Sequence, residues 1–176
     1  MRICVFCASS DTVDKKYFTI AQELGKKLAA RGHELVYGGY TNGMMGKLAV
    51  AAHEGGAKIT AVVPAIFDCD GFTYRYCDEI IKTVGMHDRK ASMQRNSDAF
   101  IVLPGGIGTL DELFDTLDLR MLGVLDKRII ILNAFGFYDW LESLLLNMKS
   151  DGFVREGRPG AEFFSSCDAA LDALEN

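Results

Sequence analysis

The chain is 176 residues long, 49% hydrophobic and 24% charged, the ordinary make-up of a globular domain and far from the low-hydrophobicity, high-charge signature of disorder. Its net charge of -5 argues against a nucleic acid polymer as partner, because binding a phosphate backbone takes surplus Lys and Arg to release counterions, yet it leaves room for one small phosphorylated ligand. Neither a signal-peptide pattern nor an apolar stretch of bilayer length occurs, so the expectation is a soluble cytoplasmic protein with no membrane partner.

Short β-rich runs alternate with helical patterns from end to end, the sequence form of repeated βαβ units around a parallel sheet. A strand over 3–6 is followed by Ile20, Ala21, Leu24 and Leu28 at helical spacing, with Gly32 where a helix C-terminus favours a left-handed residue. After a strand over 34–37, a second helix opens near Gly43 and stops at Gly55-Gly56. A strand over 58–63 leads into an irregular stretch, 64–77, whose breakers and aromatic residues mark it as a candidate ligand-side loop. Next come a strand over 79–83, a helix from Met86 to Asn96, a strand over 99–103 and a helix starting at Thr109. The pattern closes with a strand over 128–132, a helix over 138–150, an edge strand around Phe163-Phe164 and a short helix over 168–174. The expected fold is α/β: one domain over 1–176, a doubly wound, mostly parallel sheet with helices on both faces.

The five cysteines read as free thiols of a reducing compartment. Cys4-x-x-Cys7 has no second pair at zinc-site spacing, so no metal is expected, and Cys69, Cys77 and Cys167 lack partners. His33 and His53 sit beside glycines near element ends and are expected at the surface or as caps.

Two strand-to-helix junctions are rich in glycine, and in a parallel α/β sheet such junctions lie at the carboxyl ends of the strands, where ligands bind. The stronger is Pro104-Gly105-Gly106-Ile107-Gly108-Thr109-Leu110-Asp111-Glu112. Its glycines permit close backbone approach, and the unpaired amides of the helix it opens favour a phosphate. The other, Gly38-Gly39-Tyr40-Thr41-Asn42-Gly43-Met44-Met45-Gly46, is neither a P-loop nor a clean GxGxxG, and no acidic residue follows to hold a cofactor ribose. Thr109 and Glu112 also have the spacing of a capping box, so the glutamate reads equally as a cap or as a catalytic carboxylate. Met86-His87-Asp88-Arg89-Lys90 lies just before the strand that feeds the glycine loop. Arg89 offers a planar fork suited to phosphate or carboxylate, and Lys90 adds a second cation.

Met-His-x-Arg-Lys followed by Pro-Gly-Gly-x-Gly-Thr-x-x-Glu resembles the LOG family, the cytokinin-activating phosphoribohydrolases often mislabelled lysine decarboxylases. The resemblance also takes in 4–10, the 38–46 loop, the 55–64 segment and 122–133. It implies a modified Rossmann fold, a homodimer, no metal or organic cofactor, and hydrolysis of the N-glycosidic bond of a purine or cytokinin nucleoside 5′-monophosphate. Arg89 and Glu112 would be catalytic. Lys90, Gly105, Gly106, Ile107, Gly108 and Thr109 would contact the nucleotide, with Gly39, Gly43 and Met86 as further binding positions. The alternative is a non-catalytic nucleotide carrier on the same scaffold, since fold and phosphate loop do not by themselves supply chemistry. Three departures bear on the base: Tyr40 stands where the family usually has a third glycine, Asp118-Leu119-Arg120-Met121 replaces a Thr-Trp-x-Gln stretch, and Pro64-Ala65-Ile66-Phe67-Asp68 replaces a Pro-Arg-Glu stretch. The phosphate end is intact, and the base is left open between a cytokinin and a plainer one, as in AMP.

Overall fold

The computed structural model describes residues 1–67, 71–154, 157 and 160–176; Asp68 and Cys69 lie outside the described residues. Seven strands, β1 (Arg2–Phe6), β2 (Glu34–Tyr37), β3 (Ile59–Pro64), β4 (Glu79–Thr83), β5 (Ala99–Val102), β6 (Ile129–Leu132) and β7 (Glu162–Phe164), form one sheet in the order β4-β3-β2-β1-β5-β6-β7. Every neighbouring pair is parallel, so the sheet expected to be mostly parallel is parallel throughout, with the edge strand at 163–164 as β7.

The central strands are buried on both faces, and their alternate side chains feed two separate cores. Ile3, Val5, Leu35, Tyr37 and Ile101 meet three helices on one face: α1 (Lys15–Ala30), α2 (Gly43–Glu54) and α6 (Cys167–Glu175). Cys4, Phe6, Val36, Phe100 and Val102 face the other layer, α3 (Met86–Arg95), α4 (Ile107–Met121) and α5 (Asp139–Ser150). This is the doubly wound arrangement anticipated from the alternation. Among the described residues no helix is long and apolar enough to cross a membrane.

Two expectations are corrected. The helix predicted from Thr109 begins two residues earlier, at Ile107, because Gly106 takes up the extended backbone of an N-cap (φ -91, ψ -156). Of the two places expected for His33, the surface is ruled out and the cap holds: its ring is buried, with Nε2 2.8 Å from a Glu175 carboxylate oxygen and Nδ1 3.5 Å from the amino group of Met1, and its N–H donates to the Leu28 carbonyl at the end of α1 at 2.9 Å. His53 is exposed, as anticipated, and stacks on Tyr76 at 5.1 Å between ring centroids.

The order of strands positions the site. The chain runs outward from β1 to β4, then α3 returns it to β5 on the opposite side of β1. At such a reversal the loops leaving the two central strands part, and a crevice opens beyond their carboxyl ends.

Helices α1 and α2 approach closely at Gly25, where a Cβ would lie 2.5 Å from the Leu48 carbonyl oxygen and 3.0 Å from the Ala51 Cβ. Alanine raises helix propensity by about 1 kcal/mol over glycine, but overpacking against backbone that cannot yield costs about 1–3 kcal/mol. Gly25→Ala should therefore lower stability by about 1 kcal/mol in urea unfolding, with an unchanged m-value; a more stable variant would show that the two helices separate freely.

Candidate active site

The loops after β1, β2, β3 and β5 enclose a cleft of about 660 Å³, within the usual range of small-molecule sites. Its floor is the pair Arg89 and Glu112, both buried. Arg89 sits in the first turn of α3 and reaches across the sheet. Its Nε donates to the Val62 carbonyl oxygen of β3 at 3.2 Å, and its Nη1 donates to Glu112 Oε1 at 2.5 Å. The guanidinium passes over Gly38 at the end of β2, where any Cβ would collide with Nη2. Gly38, the first glycine of the second glycine-rich junction, is thus the position that lets the arginine through.

Glu112 lies one and a half turns into α4. Because α4 starts at Ile107, Thr109 is not its cap residue, and the capping-box reading of Glu112 fails: the N-cap Gly106 has no side-chain partner, and the glutamate carboxylate binds Arg89 instead. Burial pushes the Glu112 carboxyl above its ordinary value, and the charge and hydrogen bond of Arg89 pull it partway back. Such a perturbed carboxyl in a cleft is a mark of functional sites.

The two glycine-rich helix starts differ in a way their sequences conceal. At α2 the Gly43 N–H donates to Asp11 Oδ1 at 2.8 Å and the Met45 N–H donates to the Ala8 carbonyl at 3.3 Å. The loop after β1 therefore occupies that helix end. At α4 the first turn holds no acidic residue, Gly106 offers no side-chain acceptor, and Gly106, Ile107 and Gly108 are exposed. First-turn amides for which the described residues supply no acceptor, backed by the helix dipole, suit an anion. Behind them, Tyr138 Oη donates to the Leu103 carbonyl at 2.9 Å and fixes the end of β5.

Of the residues expected at the site, Arg89, Glu112, Gly106, Gly108, Thr109 and Met86 line the cleft. The others do not. Lys90 turns away to α4, its Nζ 2.9 Å from Asp111 Oδ1 and 3.1 Å from Asp115 Oδ1, so it fastens α3 to α4. Gly105 yields its side-chain space to Thr109, Gly39 packs on Val63 at a left-handed φ of 85°, and the Ile107 side chain is 84% exposed. Gly43 is engaged by Asp11. Pattern reading gave no role to Ser9, Ser10 and Asp11, which line the cleft from the loop after β1; Tyr40, noted as a departure bearing on the base, and Phe67 and Phe72 of the stretch marked as ligand-side line it as well. The switch in strand order was the signal for the first three, since it puts the β1 loop opposite the β5 loop.

Two measurements check this geometry. An acid whose folded pKa is raised holds its proton more firmly in the folded chain, so its favourable contribution is full below the unfolded value and is lost as pH rises through the folded one. Wild-type stability minus that of Glu112→Gln should accordingly decline as pH rises from about 4 through the raised pKa of Glu112; a difference that grows with pH contradicts the assignment. In a double-mutant cycle, Gly38→Ala should cost about 1–3 kcal/mol in the wild type and clearly less in Arg89→Ala, because the two share one space. Additive effects would mean that Arg89 does not depend on Gly38.

A family model described as "possible lysine decarboxylase" matches residues 45–176. The cytokinin riboside 5′-monophosphate phosphoribohydrolase LOG of Oryza sativa subsp. japonica is 43% identical over 155 residues, which is 88% of this chain and 64% of that protein. LOG4 of Arabidopsis thaliana, named for the same activity, is 41% identical over 153 residues, 87% of this chain and 71% of that one. The chain thus spans about two thirds of the length of these relatives. Among solved structures, the X-ray structure of TM1055 superposes with a TM-score of 0.78 at 22% identity, covering 99% of this chain and 98% of that one. The molybdenum cofactor carrier protein of Chlamydomonas reinhardtii superposes at 0.74 and 21% identity, covering 99% and 95%. These two likenesses establish the fold alone. Identity sustained over most of the sequence, together with the family-model match, makes this chain a member of the LOG family.

Proposed function

We propose that this protein hydrolyses the N-glycosidic bond of a purine or cytokinin nucleoside 5′-monophosphate, releasing the free base and ribose 5-phosphate. The observation that carries this reading is the Arg89–Glu112 pair at the floor of a cleft whose rim is the open amino end of α4. Relatives at about 40% identity are named for this activity on cytokinin riboside 5′-monophosphates.

Cleavage breaks the bond from the anomeric carbon to the base nitrogen, whose electron pair leaves with the base. Water adds to the carbon, and one water proton ends on the base. The transition state carries positive charge on the sugar, which a nearby carboxylate stabilises. With the 5′-phosphate at the amides of α4, Glu112 faces the ribose, either opposing that charge or orienting the water. Arg89 already spends Nε on Val62 and Nη1 on Glu112, so its principal work is to hold the carboxylate in place.

The decarboxylase description does not fit this cleft. A pyridoxal enzyme needs a lysine to bind the cofactor carbonyl, and among the described residues lining the cleft there is none; Lys90 is engaged by two aspartates. The expected homodimer is supported by apolar side chains left exposed along α4 and α5, among them Phe114, Trp140, Leu144 and Leu146. A cytoplasmic setting is supported by the free thiols of Cys4, Cys7, Cys77 and Cys167.

Incubation with a panel of nucleoside monophosphates, AMP and a cytokinin nucleotide included, should release free base detectable by chromatography. Glu112→Gln should remain folded and lose about 10²- to 10³-fold in turnover. Binding of nucleotides without release of any base would favour the carrier.

A further inference from the structure

The end of the cleft away from α4 is walled by aromatic rings that the proposed chemistry does not use. Tyr40 comes from the loop after β2, Phe67 from a 3-10 turn after β3 (Ala65–Phe67), and Phe72 from the segment before β4. Phe67 and Phe72 stack with centroids 5.2 Å apart and planes at 6°, and Tyr40 meets Phe72 at 4.8 Å and 45°. Backbone contacts fasten the assembly. The Thr41 N–H donates to the Phe72 carbonyl at 3.0 Å, the Tyr74 N–H donates to the Gly39 carbonyl at 3.1 Å, and Tyr40 and Thr73 form an isolated antiparallel bridge.

The rest of this wall is Met45, Pro64 and Met86. The Tyr40 hydroxyl accepts from Asn42 Nδ2 at 3.5 Å, and the other polar side chains lining this side of the cleft are those of Ser9, Ser10 and Asp11 on the loop after β1, where Asp11 is engaged by the Gly43 N–H. A wall of this composition has little with which to read the hydrogen-bonding edge of a base. It does offer flat, polarisable faces, and stacking a base on an aromatic ring is worth a five- to hundredfold change in affinity, roughly, whatever the base. Tyr40 is only half-buried, and it occupies the position where the resemblance described above leads one to expect glycine.

We propose that Tyr40 is the platform on which the base stacks, so that this chain holds its nucleotide by the plane of the base rather than by its edge. The inference rests on the proposed hydrolase reading. With the phosphate at α4 and the sugar at Glu112, the aromatic wall is the surface left for the base.

Steady-state kinetics on Tyr40→Gly and Tyr40→Phe test it, with folding checked by circular dichroism. Tyr40→Gly should raise KM about five- to hundredfold, with a much smaller change in kcat. It should weaken inhibition by free adenine in parallel, while inhibition by ribose 5-phosphate, which reaches only the other end, stays put. Tyr40→Phe keeps the ring and should recover the lost affinity. If Tyr40→Gly does not fold, Tyr40→Leu fills the space without a flat face and carries the same expectation. Unchanged KM and unchanged adenine inhibition in the ringless variant would overturn the platform while leaving the hydrolase intact. If the wild type released no base from any nucleotide, the hydrolase reading would fail. The platform would then be decided by equilibrium binding of AMP: weaker to Tyr40→Gly supports it, equal refutes it.

Discussion

The buried ion pair between Arg89 and Glu112 is the constraint around which the cleft is arranged. Two charges removed from water are costly to keep, and they are tolerated where geometry and further hydrogen bonds satisfy them. Each requirement is met by a different element: β3 offers the Val62 carbonyl, β2 is followed at once by Gly38, a residue without a side chain, and α4 starts early enough to bring Glu112 within 2.5 Å. A single helix register, a single missing Cβ and a single carbonyl are thus coupled through one guanidinium. Since a buried pair of this kind contributes little net stability, its presence in the cleft argues for chemistry rather than for architecture.

Much of the fold was legible from the sequence because the central strands are buried on both faces, and runs such as Ala99-Phe100-Ile101-Val102 and Ile129-Ile130-Ile131-Leu132 are too short for a helix and rich enough in β-branched and aromatic residues to read as strands. The start of α4 was not. Thr109 and Glu112 have capping-box spacing, but Gly106, with no side chain to cap anything, takes the cap position through its backbone alone. Short motifs fix spacing, not phase, and of the two readings left open for Glu112 a shift of two residues removes the cap and leaves a buried carboxylate.

The same limit applies to Arg89 and Lys90. Adjacent residues on a helix diverge by about 100°, so the two cations of one motif part company, one toward the sheet and one toward Asp111 and Asp115 on α4. The aromatic wall was hidden for another reason. Aromatic residues in 64–77 marked a ligand-side stretch, but that Phe72 and Thr73 lie against Tyr40 of the β2 loop is a non-local contact that no local pattern records.

The contact between Asp11 and the amino end of α2 gives the cleft a direction. Had both glycine-rich helix starts been open, two positive poles would face the same space, and an anionic ligand could lodge against either. A carboxylate from the chain itself already neutralises one of them, so the cleft has one electropositive end and one aromatic end. In the proposed reading, a molecule with a charged head and a flat tail then has a single favourable way round, set by the ends of the cleft and not by the residues at its floor.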